Sequence, residues 1–410
     1  MSFLKQFTYI SNWYVLAWCL VQFSRNTGEY LFLQGPLNLF ILVVGLYSLC
    51  MITFTMKAPV FFKGLNILVG VLALYGLYQA FLGSAIYEGS EEIPPSSFFV
   101  NSLLGLTPLY VCYYYSYKGE LTDLKLKFLV VVFVFLFIQT YFSYQARTLE
   151  LLSKYGYTDI INSTSYLFVG LIPALFLFEK QKILQAILAG VILFFIAIGM
   201  KRGAVIVGVL GLLYVYRDIF KRAKSVIAKI SVSLIVVVLV VVAYSYVESQ
   251  LMTNEFFMSR LNDTLQGDSS GRDWIYTTAL SKWGDMNLFQ QLFGGGGYYS
   301  AVLLNIKGHN DWIELLLDCG LIGVVAYIYF YVTSIKSLRN TPKSRYKSMF
   351  ISSMAILFLE SFFSMGYESI ELWAGIWMGF SLYKLQAGKT SMQRNVINNK
   401  HYGLSTPYHM

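Results

Sequence analysis

The stretch LKFLVVVFVFLFIQTYFSY, residues 126–144, carries a single charge, Lys127. As a helix it is about 28 Å long, close to the roughly 30 Å of hydrocarbon in a bilayer. Working outward from it, similar apolar blocks recur along the whole chain. They fall near 10–24, 37–56, 64–83, 98–116, 165–179, 182–199, 203–216, 228–247, 310–335, 347–364 and 368–385. With 126–144 these make twelve expected spans; 10–24, 165–179 and 203–216 are the short ones. The expected fold is all-α: a polytopic helical membrane protein of about twelve transmembrane helices.

Composition agrees with the blocks. Of 410 residues, 56% are hydrophobic and 13% charged, against about 25% charged in a soluble domain. Mean hydropathy is +0.57. Tyr and Phe number 32 each, rings suited to the membrane interface. Cys19, Cys50, Cys112 and Cys319 sit far apart in apolar runs without metal or redox spacing, so they read as small core residues. The net charge of +9 reflects membrane topology rather than nucleic-acid binding.

Placing both termini in the cytoplasm puts 22 Lys and Arg on inner connections and 9 on outer ones, as the positive-inside rule requires. This frame leaves one long outer connection, 248–308. It holds Trp274, Tyr276, Trp283, Phe289, Phe293, Tyr298 and Tyr299, too aromatic for a disordered linker. One or two short helices on the outer membrane face are expected there. The expected organisation is a single membrane-embedded domain over 1–385, followed by a polar, disordered cytoplasmic tail, 386–410.

Three motifs carry chemistry. Lys201-Arg202-Gly203 occupies a tight outer turn, where the positive-inside bias disfavours cations. Either these side chains snorkel to headgroups, or Arg202 binds an anion where a helix starts and free N–H groups help. Gly271-Arg272-Asp273-Trp274 reads as a turn leading into an amphipathic helix. Arg272 either pairs with Asp268 or Asp273, or points into an outer cavity and grips phosphate in a bidentate way.

The third motif runs from Gly294-Gly295-Gly296-Gly297-Tyr298-Tyr299 to Gly308-His309-Asn310-Asp311. Glycines let backbone approach a ligand closely, which makes Gly296, Gly297 and Tyr298 candidate substrate contacts with Lys201, Asn310 and Asp311. His309 is the only histidine outside the tail. It is either an interfacial or capping residue, or a general base or phosphate donor. Asp311, Glu314 and Asp318 follow on one helical face. They orient the arginines, bind sugar hydroxyls or support the fold, and no metal site is expected. Glu360, Glu368 and Glu371 are further candidates.

Together these pieces resemble the O-antigen ligase and O-antigen polymerase superfamily (Wzy-type polymerases). The resemblance rests on Lys201-Arg202-Gly203, on Gly271-Arg272-Asp273-Trp274, and on His309-Asn310 followed by nine residues and Gly320-Leu321-Ile322-Gly323. It implies a GT-C-like, metal-independent glycosyltransferase of the bacterial inner membrane that needs no cofactor. The implied donor is a glycan on undecaprenyl pyrophosphate at the periplasmic face, and the acceptor is a sugar hydroxyl. Membrane lipid and a chain-length regulator are further implied partners; nucleic acid is not. By motif position, Arg202 and Arg272 hold the pyrophosphate, while His309 activates the acceptor or contacts the diphosphate. Polymerisation of repeat units into a surface polysaccharide, such as O-antigen or capsule, is the expected activity. Ligation of the finished glycan to lipid A-core or protein is the alternative. A lipid-glycan flippase fits less well, because the notable charges gather on the outer side.

The basic-residue bias is directly testable. Alkaline phosphatase fused after Gly284 is expected to be active, and inactive when fused after Lys224. The reverse pattern would overturn the orientation.

Overall fold

The computed structural model describes residues 9–27, 31–83, 86–88, 91–153, 162–199, 201–222, 272–304, 310–339, 341–363 and 375–389, with the single positions 226, 230, 241 and 245. Almost all of the span expected at 228–247, His309, Gly271, Glu368, Glu371 and the tail from 390 lie outside the described residues.

Helix dominates. In order the helices are α1 (Ile10–Thr27), α2 (Gln34–Cys50, continuing as a π turn over Met51–Thr55), α3 (Val60–Leu82), α4 (Ser97–Tyr117) and α5 (Asp123–Ser153). Then come α6 (Ser165–Gly170, followed by a 3-10 segment Ile172–Phe178), α7 (Lys182–Ile198), α8 (Arg202–Arg222), α9 (Arg272–Asp285), α10 (Leu288–Phe293), α11 (Tyr299–Leu304), α12 (Asp311–Asp318), α13 (Gly320–Ser337) and α14 (Arg345–Phe363). The last is α15, residues 375–389. Among the described residues the one strand pair is an antiparallel hairpin, β1 (Ile86–Glu88) with β2 (Glu91–Ile93), which an all-α expectation lacks.

Five helical segments among the described residues are long and apolar enough to cross a membrane: Gln34–Thr55, Val60–Leu82, Asp123–Leu151, Arg202–Lys221 and Gly320–Ser337. Ser165–Phe178 and Lys182–Ile198 are shorter apolar helices. The chain is therefore a helical, multi-pass membrane protein. One expected span needs correction. The block 310–335 is broken at Cys319, so that α12 is a separate short helix and the long helix starts only at Gly320. Helix α15 continues to Lys389, past the expected span boundary at 385. The loop before α12 carries three short helices among its described residues, α9, α10 and α11, rather than one or two.

The helices pack in two sets. α1, α2, α3, α4 and α13 form one, and α6, the 3-10 segment, α7, α8 and α14 form the other. α5 touches both, against α1 and the 3-10 segment. α15 also joins them: Gly379 lies against the backbone of Tyr113 on α4, and Trp377 Nε1 donates to the Gly170 carbonyl at 2.8 Å. In lipid, helix association depends on close packing and interhelical hydrogen bonds, the latter averaging about 0.6 kcal/mol each. Gly64 provides such an approach against Phe330 and Thr333 of α13, and Tyr110 Oη donates to Asn66 Oδ1 at 2.7 Å. Of the cysteines, Cys112 and Cys319 are buried as expected, whereas Cys50 is exposed.

Segments expected on one side of the membrane meet at one end of the bundle. Arg345 at the start of α14 pairs with Asp123 at the start of α5 at 3.2 Å. Ser348 donates to Asp218 near the end of α8 at 3.0 Å, and Lys127 to Gln181 at 3.0 Å. Lys389 reaches the Arg339 carbonyl at 3.0 Å. The arginine and glycine motifs lie at the opposite end.

The break between α12 and α13 is held by two glycines. Gly320 has φ +64 and Gly294 φ +76, a region costly for other residues. A Cβ on Gly320 would lie 2.5 Å from Gly294 N, and one on Gly294 would strike the Asp318 carbonyl. Gly295 N and Gly296 N donate to the Leu317 and Asp318 carbonyls at 2.9 and 3.0 Å. Gly320→Val is therefore expected to cost about 1–3 kcal/mol or more, read as a lower unfolding temperature in detergent. Gly35→Ala, which meets open space, is the control and should change stability little. Equal unfolding temperatures for both would contradict this packing.

Candidate functional site

The site is built on the last turn of α14. Side chains from two other segments donate to the carbonyls of its last two described residues, Phe362 and Phe363. Arg272 Nη2, at the first residue of α9, donates to the Phe363 carbonyl at 3.3 Å. Tyr276, one turn further along α9, donates to the Phe362 carbonyl at 3.3 Å. Tyr166 of α6 makes a longer contact with Phe363 O at 3.5 Å.

The segment that carries Arg202 reaches the same place from a different direction. It is the first residue of α8. The turn before it is fixed by Asn162, whose N–H donates to the Gly199 carbonyl at 3.0 Å and whose side chain donates to the Tyr141 carbonyl at 3.0 Å. Gly203 then packs directly on the end of α14. A Cβ there would lie 2.8 Å from Phe363 Cβ and would collide with the Tyr166 hydroxyl. The charges of Glu360 and Arg272 both act on that hydroxyl. The Lys201-Arg202-Gly203 turn and the Arg272 helix, 70 residues apart in the chain, thus share one turn of α14. Both arginines are half-buried, as is Lys201.

The third motif arrives through α12. Asn310 is its N-cap: Oδ1 accepts from Trp312 N at 3.0 Å and Ile313 N at 3.2 Å, a contact worth about 1 kcal/mol. Asp311 is buried and Oδ2 accepts from Tyr327 Oη at 2.7 Å; Tyr331 Oη in turn donates to Tyr327 Oη at 3.1 Å. Trp312 Nε1 donates to Ser361 Oγ on α14 at 2.9 Å, and its ring stacks on Phe362 at 5.8 Å between centroids. Trp312, three residues after His309, is thereby anchored within one turn of the Arg272 contact.

Not every candidate joins this cluster. Gly296, Gly297 and Tyr298 lie at the other end of α12, about 10 Å along its axis. Gly297 faces Phe98, and Tyr298 is buried with its hydroxyl accepting from Asn101 Nδ2 at 2.8 Å. They brace the α12–α13 break against α3 and α4. Asp311, Glu314 and Asp318 are all buried but do not converge. Asp318 Oδ1 accepts from Ser300 N at 2.6 Å, far from Asp311 and Tyr327. No three His, Cys, Asp or Glu side chains gather among the described residues. Sequence reasoning missed Tyr166, Ser361 and the Phe363 carbonyl. Tyr166 sits in an ordinary apolar run, and a backbone carbonyl leaves no signature.

The chain matches no protein-family model, no curated protein and no solved structure.

The Gly203–Tyr166–Phe363 contact makes a specific stability prediction. Gly203→Ala should destabilise by about 1–3 kcal/mol through overpacking. Adding Tyr166→Phe removes the hydroxyl in the collision and should recover part of that loss in thermal unfolding. A double variant no more stable than Gly203→Ala would show that Tyr166 is not the obstacle.

Proposed function

We propose that this protein is a membrane glycosyltransferase that joins undecaprenyl-pyrophosphate-linked oligosaccharide repeat units into a surface polysaccharide. In this reading it crosses the inner membrane twelve times with both termini in the cytoplasm. The end of the bundle carrying Arg202 and Arg272 then faces the periplasm. The observation that supports it most is the convergence of both arginine motifs, and of the segment that follows His309, on the last turn of α14.

The chemistry follows from charge. Breaking the bond between an anomeric carbon and pyrophosphate leaves negative charge on the phosphate oxygens. Cations fixed in a water-poor site stabilise that charge without reorganising, and each charge-assisted hydrogen bond contributes about 1.5–3 kcal/mol. Arg272 has five N–H donors; one bond to Phe363 O tethers the guanidinium here and leaves others for a phosphate. Arg202, at the start of α8, adds a second cation at the N-terminal, positive end of that helix. His309 takes the proton of the acceptor hydroxyl as its oxygen bonds the anomeric carbon, and the lipid pyrophosphate departs. Asn310, Asp311 and Trp312 position His309 rather than touch the sugar.

Replacing Arg202 or Arg272 by Ala should lower polymer by about 10²-fold or more, since about 3 kcal/mol is two decades in rate. Lys should rescue poorly where the grip is bidentate. His309→Ala should insert stably and accumulate single lipid-linked repeat units. The measurement is the glycan ladder of cells carrying each variant at normal protein level. Normal ladders from the arginine variants would remove them from pyrophosphate binding. Long chains left on the lipid carrier by His309→Ala would identify a ligase instead.

A further inference from the structure

Helix α10, Leu288–Phe293, is inside out for a helix at an aqueous surface. Its two glutamines face the protein: Gln290 and Gln291 are half-buried, and Gln291 Nε2 donates to the Trp283 and Gly284 carbonyls at 3.3 Å each. Its apolar residues face outward. Leu288 is 71% exposed and Phe289 69%, with Leu292 and Phe293 also exposed and the two phenyl rings stacked at 4.7 Å. Positions i, i+1, i+4 and i+5 lie within one stripe of a 3.6-residue helix. In water this arrangement exposes a patch that soluble proteins avoid.

The helix is fastened at the edge of two apolar spanning helices. Tyr75 of α3 donates to the Phe293 carbonyl, and Gly320 at the start of α13 lies against the Leu292 backbone. The exposed side chains of those helices continue the same surface. On α3 they are Leu74, Tyr78 and Phe81; on α13 they are Leu321, Ile322 and Val325. α3 and α13 are both long and apolar enough to span, so their exposed faces are the lipid-facing belt, and α10 extends that belt at the end bearing the arginines.

We propose that α10 is an interfacial helix whose Leu288–Phe293 face is inserted into the bilayer on the side of the candidate site. The occupant of the surface is lipid. Burying such a face in the headgroup and acyl boundary is favourable in proportion to its apolar area.

The test uses the full chain in liposomes, with the four native cysteines replaced by alanine and a nitroxide placed at Phe289→Cys. Collision with oxygen, which favours lipid, is compared with collision with a water-soluble nickel complex. Val325→Cys is the lipid reference and Lys282→Cys the aqueous one. The oxygen-to-nickel ratio at 289 should approach that at 325 and exceed that at 282 several-fold. A ratio equal to that at 282 would overturn the proposal, and spin–spin broadening between copies would do so in favour of self-association. If the cysteine-free chain fails to fold, p-benzoylphenylalanine at 289 in the native chain decides instead. A lipid adduct on irradiation supports insertion, and a protein adduct or none refutes it.

Discussion

Two carbonyl groups, those of Phe362 and Phe363, organise the end of this molecule that carries the arginine motifs. Each donor to such a carbonyl contributes about 0.5–1.5 kcal/mol net. Arg272, Tyr276 and Tyr166 meet them from α9 and α6. These bonds tie the long connection to the membrane bundle. They also place a guanidinium beside the turn that carries Arg202.

The other half of the frame depends on backbone-to-backbone contact. The glycine run before α11 threads against the break between α12 and α13, and Gly294 and Gly320 meet with no room for a side chain. That break separates α12 from α13, and α12 packs against both α13 and α14. Trp312 then locks α12 to Ser361. At the far end of the bundle, ionic contacts such as Arg345 with Asp123 join helix ends that the charge bias assigns to one side. Polar links sit at both ends, and close packing with interhelical hydrogen bonds such as Tyr110 with Asn66 fills the length between them, as expected where solvent cannot drive helix association.

Much of this was legible in the sequence. Hydropathy located the helical blocks, because a span must be long and apolar whatever its neighbours do. The start of α8 at Arg202 and of α9 at Arg272 was readable from polar and glycine punctuation. The break at Cys319-Gly320 was not, because apolar residues run through it and only a positive φ marks it. Nor was the task of the glycine run, which contacts protein backbone rather than an exposed ligand surface. The hairpin at 86–93 is two short strands of mixed residues without alternation. Tyr166 and the Phe363 carbonyl were invisible for a simpler reason: their role arises from tertiary proximity between segments 91 and 197 residues apart.

The central claim is that Arg202 and Arg272 act on one anion at the end of α14. Binding of undecaprenyl pyrophosphate to the purified chain, measured for the native protein, Arg202→Ala, Arg272→Ala and the double variant, tests it most directly. Two cations on one pyrophosphate should be coupled, so the double variant should differ from the sum of the singles by about 0.5–3 kcal/mol. Losses that add within the error of the titration, or undiminished binding in either single variant, would contradict it.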